Sequence, residues 1–373
     1  MSRDHLRAAR RVVVKIGTRV LTENDNTLAE PVLASLVKQV SDLIDEERRF
    51  IIVSSGAIAL GLNRMRLKTR PREIRLLQAA ASMGQSRLMH SYELEFGKSR
   101  HETAQILLTY EDIHSRNRYL NIRNTIFSLW DHGAVPIVNE NDTVSYAEIR
   151  FGDNDLLSAH LAIMLDADLL LILTSADGVY DRSPSEKGAK IVSEIPRIGE
   201  DVKKWARGRT SLFSTGGMES KLEAAGLATK GGIPVVIANG KRLNLKALLD
   251  GSDVGTYCRP ASERIKGKKR WIALGPRIEG AILIDKGGER AIVAHKKSLL
   301  PAGIKGVEGK FEIGANVAIL NEERIEIARG LVNFSSEELD AIKGLNTKKI
   351  PEVLGVSVYF EEAVHRDNLV ITV

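Results

Sequence analysis

Apolar and polar positions follow two alternating rhythms through the first two-thirds of the chain. Apolar runs at Val12 to Ile16, Phe50 to Val53, Ala104 to Leu108, Val135 to Val138, Leu169 to Leu173 and Pro234 to Ala238, interrupted only by Lys15 and Gln105, have strand length and read as buried strands. Between them, Glu30 to Glu47, Ile74 to Phe96, Asn117 to His132, Leu156 to Leu165 and Met218 to Lys230 carry apolar residues at helical spacing. Strand and helix repeated in this order predict an α/β domain, a three-layer α-β-α sandwich with a mainly parallel sheet and helices on both faces. Ligands of such sheets bind beyond the carboxyl ends of the strands, so chemistry is to be sought in the polar residues that follow each apolar run.

Beyond Cys258 the pattern changes. Arg259-Pro260 and the basic stretch Arg264 to Arg270 have the composition of a linker. Ala281 to Asp285, Ala291 to Val293, Asn316 to Leu320 and Glu326 to Ala328 are short and strand-like, with glycine-rich connections, and predict a small β-rich second domain. The expected divisions are a first domain at 1–258, a linker and start of the second domain at 259–277, a second domain at 278–360 and a C-terminal tail at 361–373. A chain of 373 residues is large enough for two separate cores.

Composition narrows the class without naming a chemistry. With 43% apolar and 27% charged residues, the chain resembles neither a disordered nor a membrane protein. The net charge of +6 is not concentrated: from residue 261 onward 18 basic side chains face 16 acidic ones, which gives weak electrostatic support to nucleic-acid binding. The single Cys258 permits no internal disulfide and no cysteine-based zinc site, in keeping with a reducing compartment. Met1 to Arg11 is polar and basic with no signal-peptide run, and Asp166 and Asp168 interrupt the longest candidate span, Leu161 to Leu173. A cytoplasmic location without membrane contact is expected.

Six segments at strand ends and helix starts carry candidate chemistry. Lys15-Ile16-Gly17-Thr18 ends a strand with a cation beside a glycine, which suits an anion and equally suits a lysine reaching to solvent. Ser54-Ser55-Gly56-Ala57 leads into a helix whose free N–H groups favour an anion, although a plain serine cap has the same composition. Asn139-Glu140-Asn141-Asp142 and Gly152-Asp153-Asn154-Asp155 cluster amides and carboxylates able to orient lysines or the water shell of Mg²⁺; solvated turns use the same residue types. Thr215-Gly216-Gly217-Met218-Glu219-Ser220-Lys221 opens a helix behind a glycine turn with a lysine in its first turns, and is the strongest local phosphate signal. Thr174-Ser175-Ala176-Asp177-Gly178 follows a strand and offers a second glycine-bearing loop for one nucleotide.

Familiar alternatives fail on spacing. Gly56 and Gly61 have the P-loop separation, but Leu62-Asn63 stands where Lys-Ser/Thr is required. His365-Arg366-Asp367-Asn368-Leu369 mimics a protein-kinase catalytic loop at the extreme C-terminus, with no room for the remaining signatures. The eight histidines show no zinc-ligand spacing, and no metal-ligating residue is assigned.

Taken in order, VVVKIGTRVLT at Val12 to Thr22, VSSGAIALG at Val53 to Gly61, QAAASMGQSRL at Gln78 to Leu88, VNENDTV at Val138 to Val144, FGDNDLLSA at Phe151 to Ala159 and TGGMESKL at Thr215 to Leu222 resemble the amino acid kinase family, and within it the branch that phosphorylates glutamate. KSLLPAGIKGVEGKFEIG at Lys297 to Gly314 is similar to a PUA domain. The resemblance implies transfer of phosphate from ATP, with Mg²⁺, to the γ-carboxylate of L-glutamate, the first step of proline biosynthesis. It implies Lys15, Lys221 and Asp155 as catalytic residues, with Asp153 a second candidate for orienting lysine or metal. It implies Ser55, Asp142 and Asn154 for glutamate, and Lys15, Thr174, Ser175, Thr215, Gly216, Gly217, Met218, Glu219, Ser220 and Lys221 for ATP. The family often has Thr-Asp where this chain has Thr174-Ser175. A homo-oligomer, dimer or tetramer, a functional partnership with glutamyl phosphate reductase and a weak RNA contact through the PUA domain are further implications. The rival expectations are a sibling kinase for another small acid and a PUA-mediated RNA-binding protein.

Overall fold

A computed structural model describes residues 3–67, 69–144, 154–206, 217–261, 272–273, 278–355 and 360–372. It divides into two compact units, Met1–Arg264 and Ile265–Val373.

The first unit is built on an eight-stranded sheet. Its strands are β1 (Arg11–Ile16), β2 (Arg49–Ser54), β3 (Glu102–Leu108), β4 (Ala134–Glu140), β5 (Leu169–Thr174), β6 (Glu194–Ile195), β7 (Val235–Asn239) and β8 (Thr256–Cys258). Their order is β3-β4-β2-β1-β5-β7-β8-β6, parallel throughout except where β7 meets β8. The helices are α1 (Thr18–Leu21), α2 (Glu30–Ile44), α3 (Ala57–Arg64), α4 (Ile74–Gly97), α5 (Tyr110–His114), α6 (Arg116–Asp131), α7 (Asn154–Met164), α8 (Glu200–Ala206), α9 (Met218–Lys230) and α10 (Leu245–Leu249). All six long apolar runs form strands, and all five helical stretches contain helices. The sheet edge β8-β6 and the short helices α1, α5, α8 and α10 were not anticipated, because segments of two to seven residues have too few positions to show a period.

Side-chain parity along β1 explains how this fold makes a site. Val12, Val14 and Ile16 belong to the core cluster that includes Leu33, Leu36, Val37 and Val40 of α2. Val13 and Lys15 therefore point to the opposite face. There, α7 packs on β1 and β5 and against α9. The chain moves from β1 to β2 on one side and reaches β5 on the other, so the carboxyl ends of β1 and β5 flank a topological switch point.

Glycine is required at two places beside this crevice. Gly56 precedes α3 with φ 108°, a left-handed backbone that side chains rarely adopt. At the crossing of α3 and α4, a Cβ on Gly84 would lie 1.8 Å from the carbonyl oxygen of Ala57, so the two helix backbones meet with no room for a side chain.

The second unit has strands β9 (Gly280–Ile284), β10 (Ile304–Glu308), β11 (Asn316–Leu320), β12 (Glu326–Leu331) and β13 (Leu369–Ile371), in the order β10-β9-β11-β12-β13, with helices α11 (Lys286–Val293), α12 (Ser336–Ile342) and α13 (Ile350–Leu354). Two expectations are corrected here. Ala291 to Val293 is the last turn of α11 rather than a strand, because the Asp285 carboxylate caps the helix by accepting from Gly288 N–H at 2.7 Å and Ile292 is buried in the core. The expected tail is no free tail over its described residues 361–372: Leu369, Val370 and Ile371 pair with β12, and Ala363, Val364 and Leu369 belong to the core. Most of the proposed linker, including Arg264 to Arg270, lies outside the described residues.

Candidate active site

Lys15 is the penultimate residue of β1, a strand hydrogen-bonded on both sides, so its backbone is held by β2 and β5. Lys221 lies in the first turns of α9, and Asp155 is the second residue of α7. These three side chains converge. Lys15 Nζ is 2.6 Å from Asp155 Oδ1, and Lys221 Nζ is 3.1 Å from Asp155 Oδ2. One carboxylate thus spaces two ammonium groups, one on each oxygen. Lys15, Asp155 and Lys221 are 5%, 0% and 6% exposed, so their charges act with little screening by water. Burial by itself would raise the Asp155 carboxyl. The neighbouring charges of Lys15 and Lys221 outweigh burial and hold it well below the usual carboxylate range.

Ser220 is tied to the same group, donating to Asp155 Oδ2 at 2.7 Å, while Lys221 also donates to the Gly217 carbonyl at 3.2 Å. Gly217, directly before α9, therefore holds the lysine as well as opening a helix end. Of the residues expected at the nucleotide, Met218 is half-buried and Glu219 exposed, Thr174 ends β5, and Ser175 is exposed with its carbonyl accepting from Asn239. Thr215, Gly216 and Asp153 lie outside the described residues.

A second cluster lies at the carboxyl ends of β2 and β4. Asn154 Nδ2 donates to the Ser54 carbonyl (3.1 Å), to Ser55 Oγ (3.1 Å) and to Asn139 Oδ1 (2.9 Å). Asn154 and Asp155 are adjacent at the start of α7, so this amide cluster and the lysine pair are joined by a single peptide unit. Ser55 and Asn154 come together directly. Asp142 lies two residues beyond β4, within electrostatic reach of the half-buried Arg70, whose guanidinium is lowered by burial and raised by Asp142. Thr143, next in sequence, shares a 3.0 Å hydrogen bond with Ser82 of α4.

Sequence reasoning missed Gln85 and Arg70 as parts of this region, and singled out Asn139 only as one member of an amide and carboxylate cluster, without its partners. Asn139 and Gln85 were inside quoted motifs, but an amide is an unremarkable residue until its partners are known. Arg70 lies in the connection between α3 and α4, with no local pattern to mark it.

The description of the Amino acid kinase family matches residues 10–239, and that of the PUA domain matches residues 280–354. A Glutamate 5-kinase from Carboxydothermus hydrogenoformans is 43% identical over 371 residues, spanning 99% of each chain. A Glutamate 5-kinase from Geobacter sulfurreducens is 44% identical over 368 residues, spanning 98% of each. Among solved structures, a carbamate kinase from Giardia lamblia bound to AMP-PNP is similar with a TM-score of 0.50 and 13% identity, covering 68% of this chain and 100% of that one, a likeness of fold alone.

Proposed function

The chain belongs to the amino acid kinase family, and from that premise we infer that it transfers the γ-phosphoryl group of ATP to the side-chain carboxylate of L-glutamate, giving L-glutamyl 5-phosphate and ADP, the first step of proline biosynthesis. The observation that carries the reading is the pair of buried ammonium groups of Lys15 and Lys221, spaced by the two oxygens of Asp155 at the switch point of the sheet. The full-length relatives named for glutamate narrow the acceptor from any small acid to this one.

Both reactants are anions, so the barrier is dominated by bringing like charges together and by charge on the moving phosphoryl group. A γ-carboxylate oxygen attacks the γ-phosphorus; the new P–O bond forms as the bond to the β,γ-bridging oxygen breaks, and that electron pair leaves with ADP. The acceptor is already ionised near neutral pH, so no general base is needed. Lys15 and Lys221 neutralise the phosphoryl oxygens, and Asp155 fixes how far apart the two charges stand. Mg²⁺ enters as part of the Mg-ATP substrate, held chiefly by phosphate oxygens and water. Asp155 is engaged with the lysines, and among the described residues no group of three His, Cys, Asp or Glu is arranged to hold a metal.

Ser55, Asn154 and Asp142 take the amino-acid end of the acceptor. Replacing Asp142 by alanine is expected to raise the KM for L-glutamate by about 10- to 100-fold, the worth of one charge-assisted hydrogen bond, with little change in the KM for ATP. Steady-state titration of each substrate measures this, and equal changes in both constants would remove Asp142 from the acceptor site. The reaction itself is tested by trapping the acyl phosphate with hydroxylamine in the presence of ATP, Mg²⁺ and a panel of small acids. Hydroxamate formation is expected with L-glutamate; formation only with another acid would point to a sibling kinase.

Among the described residues no helix is long and apolar enough to cross a membrane. We assign the enzyme to the cytoplasm, as a homo-oligomer whose labile product is passed to glutamyl phosphate reductase. The second unit is read as a structural or regulatory appendage, because its near-neutral charge balance gives RNA little to attract it.

A further inference from the structure

The amides beside the lysine pair form a chain whose orientation is locked by the backbone. Glu140 N–H donates to Asn139 Oδ1 at 2.9 Å, and a backbone N–H can only donate, so Asn139 must present its Nδ2 elsewhere. That Nδ2 donates to Gln85 Oε1 at 2.7 Å. Gln85 is thereby fixed with its oxygen toward Asn139 and its Nε2 away from it. At the other end, Asn154 Nδ2 donates to the Ser54 carbonyl, which can only accept, so Asn154 Oδ1 is turned outward from the chain. The consequence is one donor and one acceptor left over at opposite ends of Gln85–Asn139–Asn154. Gln85 Nε2 and Asn154 Oδ1 are both buried and neither has a hydrogen-bond partner among the described residues.

A buried N–H group and a buried amide oxygen with no partner carry desolvation costs that no contact among the described residues offsets, and native proteins seldom keep such groups without a use for them. A free α-amino acid carries complementary groups: an ammonium that only donates and a carboxylate that only accepts. The fold also delivers Gln85 with little freedom. Gly84, its neighbour, is pressed against the Ala57 carbonyl at the first turn of α3, directly after Ser55-Gly56.

We propose that Gln85 is a specificity-determining residue that donates from Nε2 to the α-carboxylate of the acceptor, while Asn154 Oδ1 accepts from its α-ammonium group. The proposal rests on the reading of L-glutamate as the acceptor, and makes the enzyme one that recognises the whole amino-acid end of its substrate. 4-Aminobutyrate retains the reacting carboxylate and the amine but lacks the α-carboxylate, so it reports on this contact alone.

The decisive variant is Gln85→Glu, which keeps an oxygen for Asn139 and removes the donor; Gln85→Met removes both. The quantity measured is the ratio of kcat/KM for L-glutamate to kcat/KM for 4-aminobutyrate, from ADP release by the full-length enzyme. Gln85→Glu is expected to lower that ratio by about 10- to 100-fold, through the KM for L-glutamate, leaving the KM for ATP within about twofold. Gln85→Met lowers the ratio in the same direction and keeps the test available if the first variant does not fold. A ratio equal to that of the parent enzyme in both variants, with the two substrates losing rate together or not at all, would show that Gln85 only supports Asn139, and overturns the proposal. If the parent enzyme forms no hydroxamate from L-glutamate, the proposed function fails first and the assignment of Gln85 falls with it.

Discussion

Replacing Lys221 by alanine is expected to lower turnover with L-glutamate and Mg-ATP by about 100- to 1000-fold or more, the usual cost of removing one preorganised charge from a developing transition state. Lys221 is buried and pinned by Asp155 Oδ2 and the Gly217 carbonyl, so no other cation in α9 occupies its place. The fold should survive, because Asp155 keeps Lys15 at 2.6 Å and Ser220 at 2.7 Å as partners. The measurement is kcat for glutamate-dependent ADP release alongside circular dichroism and a melting curve. An arginine at the same position should recover little, since its planar head does not fit a slot made for an ammonium group. Near-normal turnover of Lys221→Ala would remove this residue from the chemistry.

Asp155→Asn is expected to act through stability as well as rate. The substitution preserves shape but leaves two buried ammonium groups without the carboxylate that separates them, a loss of about 3–5 kcal/mol for a broken buried pair. For a unit of this size that corresponds to a fall in Tm of about 10 °C. Added ATP should restore more Tm to the variant than to the parent, because phosphate oxygens supply the missing negative charge between the lysines. The pH dependence follows from the depressed Asp155 carboxyl. Its contribution is complete above the ordinary value of 3.8 and is lost as pH falls below it, toward the lower value of the folded state. The Tm difference between parent and variant should therefore be constant near neutrality and shrink only in strong acid. A variant as stable as the parent at pH 7 would show that the two lysines do not depend on this carboxylate.

Much of this molecule was legible in its local pattern. The apolar runs and helical stretches named the strands and long helices because each obeys its own period over enough residues, and the polar residues after the strands marked where chemistry would lie. Ser55 follows β2 directly, Lys15 lies at the end of β1, and Asn154, Asp155 and Lys221 lie at the starts of α7 and α9 within segments marked by their composition. Shorter pieces escaped for the complementary reason: β6, β8 and β13 have two or three residues each and exist because a neighbouring strand supplies their hydrogen bonds. Ala291 to Val293 has strand-like composition, yet the cap at Asp285, six residues earlier, commits it to a helix.

The arrangement within the site was decided only by tertiary structure. Asp155 falls between Lys15 and Lys221 because α7 packs on β1 and against α9, segments far apart in the chain. The amide chain from Gln85 to Asn154 likewise joins α4, β4 and α7, and its direction is set by two backbone groups that a list of residues does not display. Period and composition are properties of neighbours along the chain, so they determined the elements. Which charges share a carboxylate, and which amide is left with a bond to offer, depend on sheet order and helix packing, which arise only when distant segments compete for the same partners.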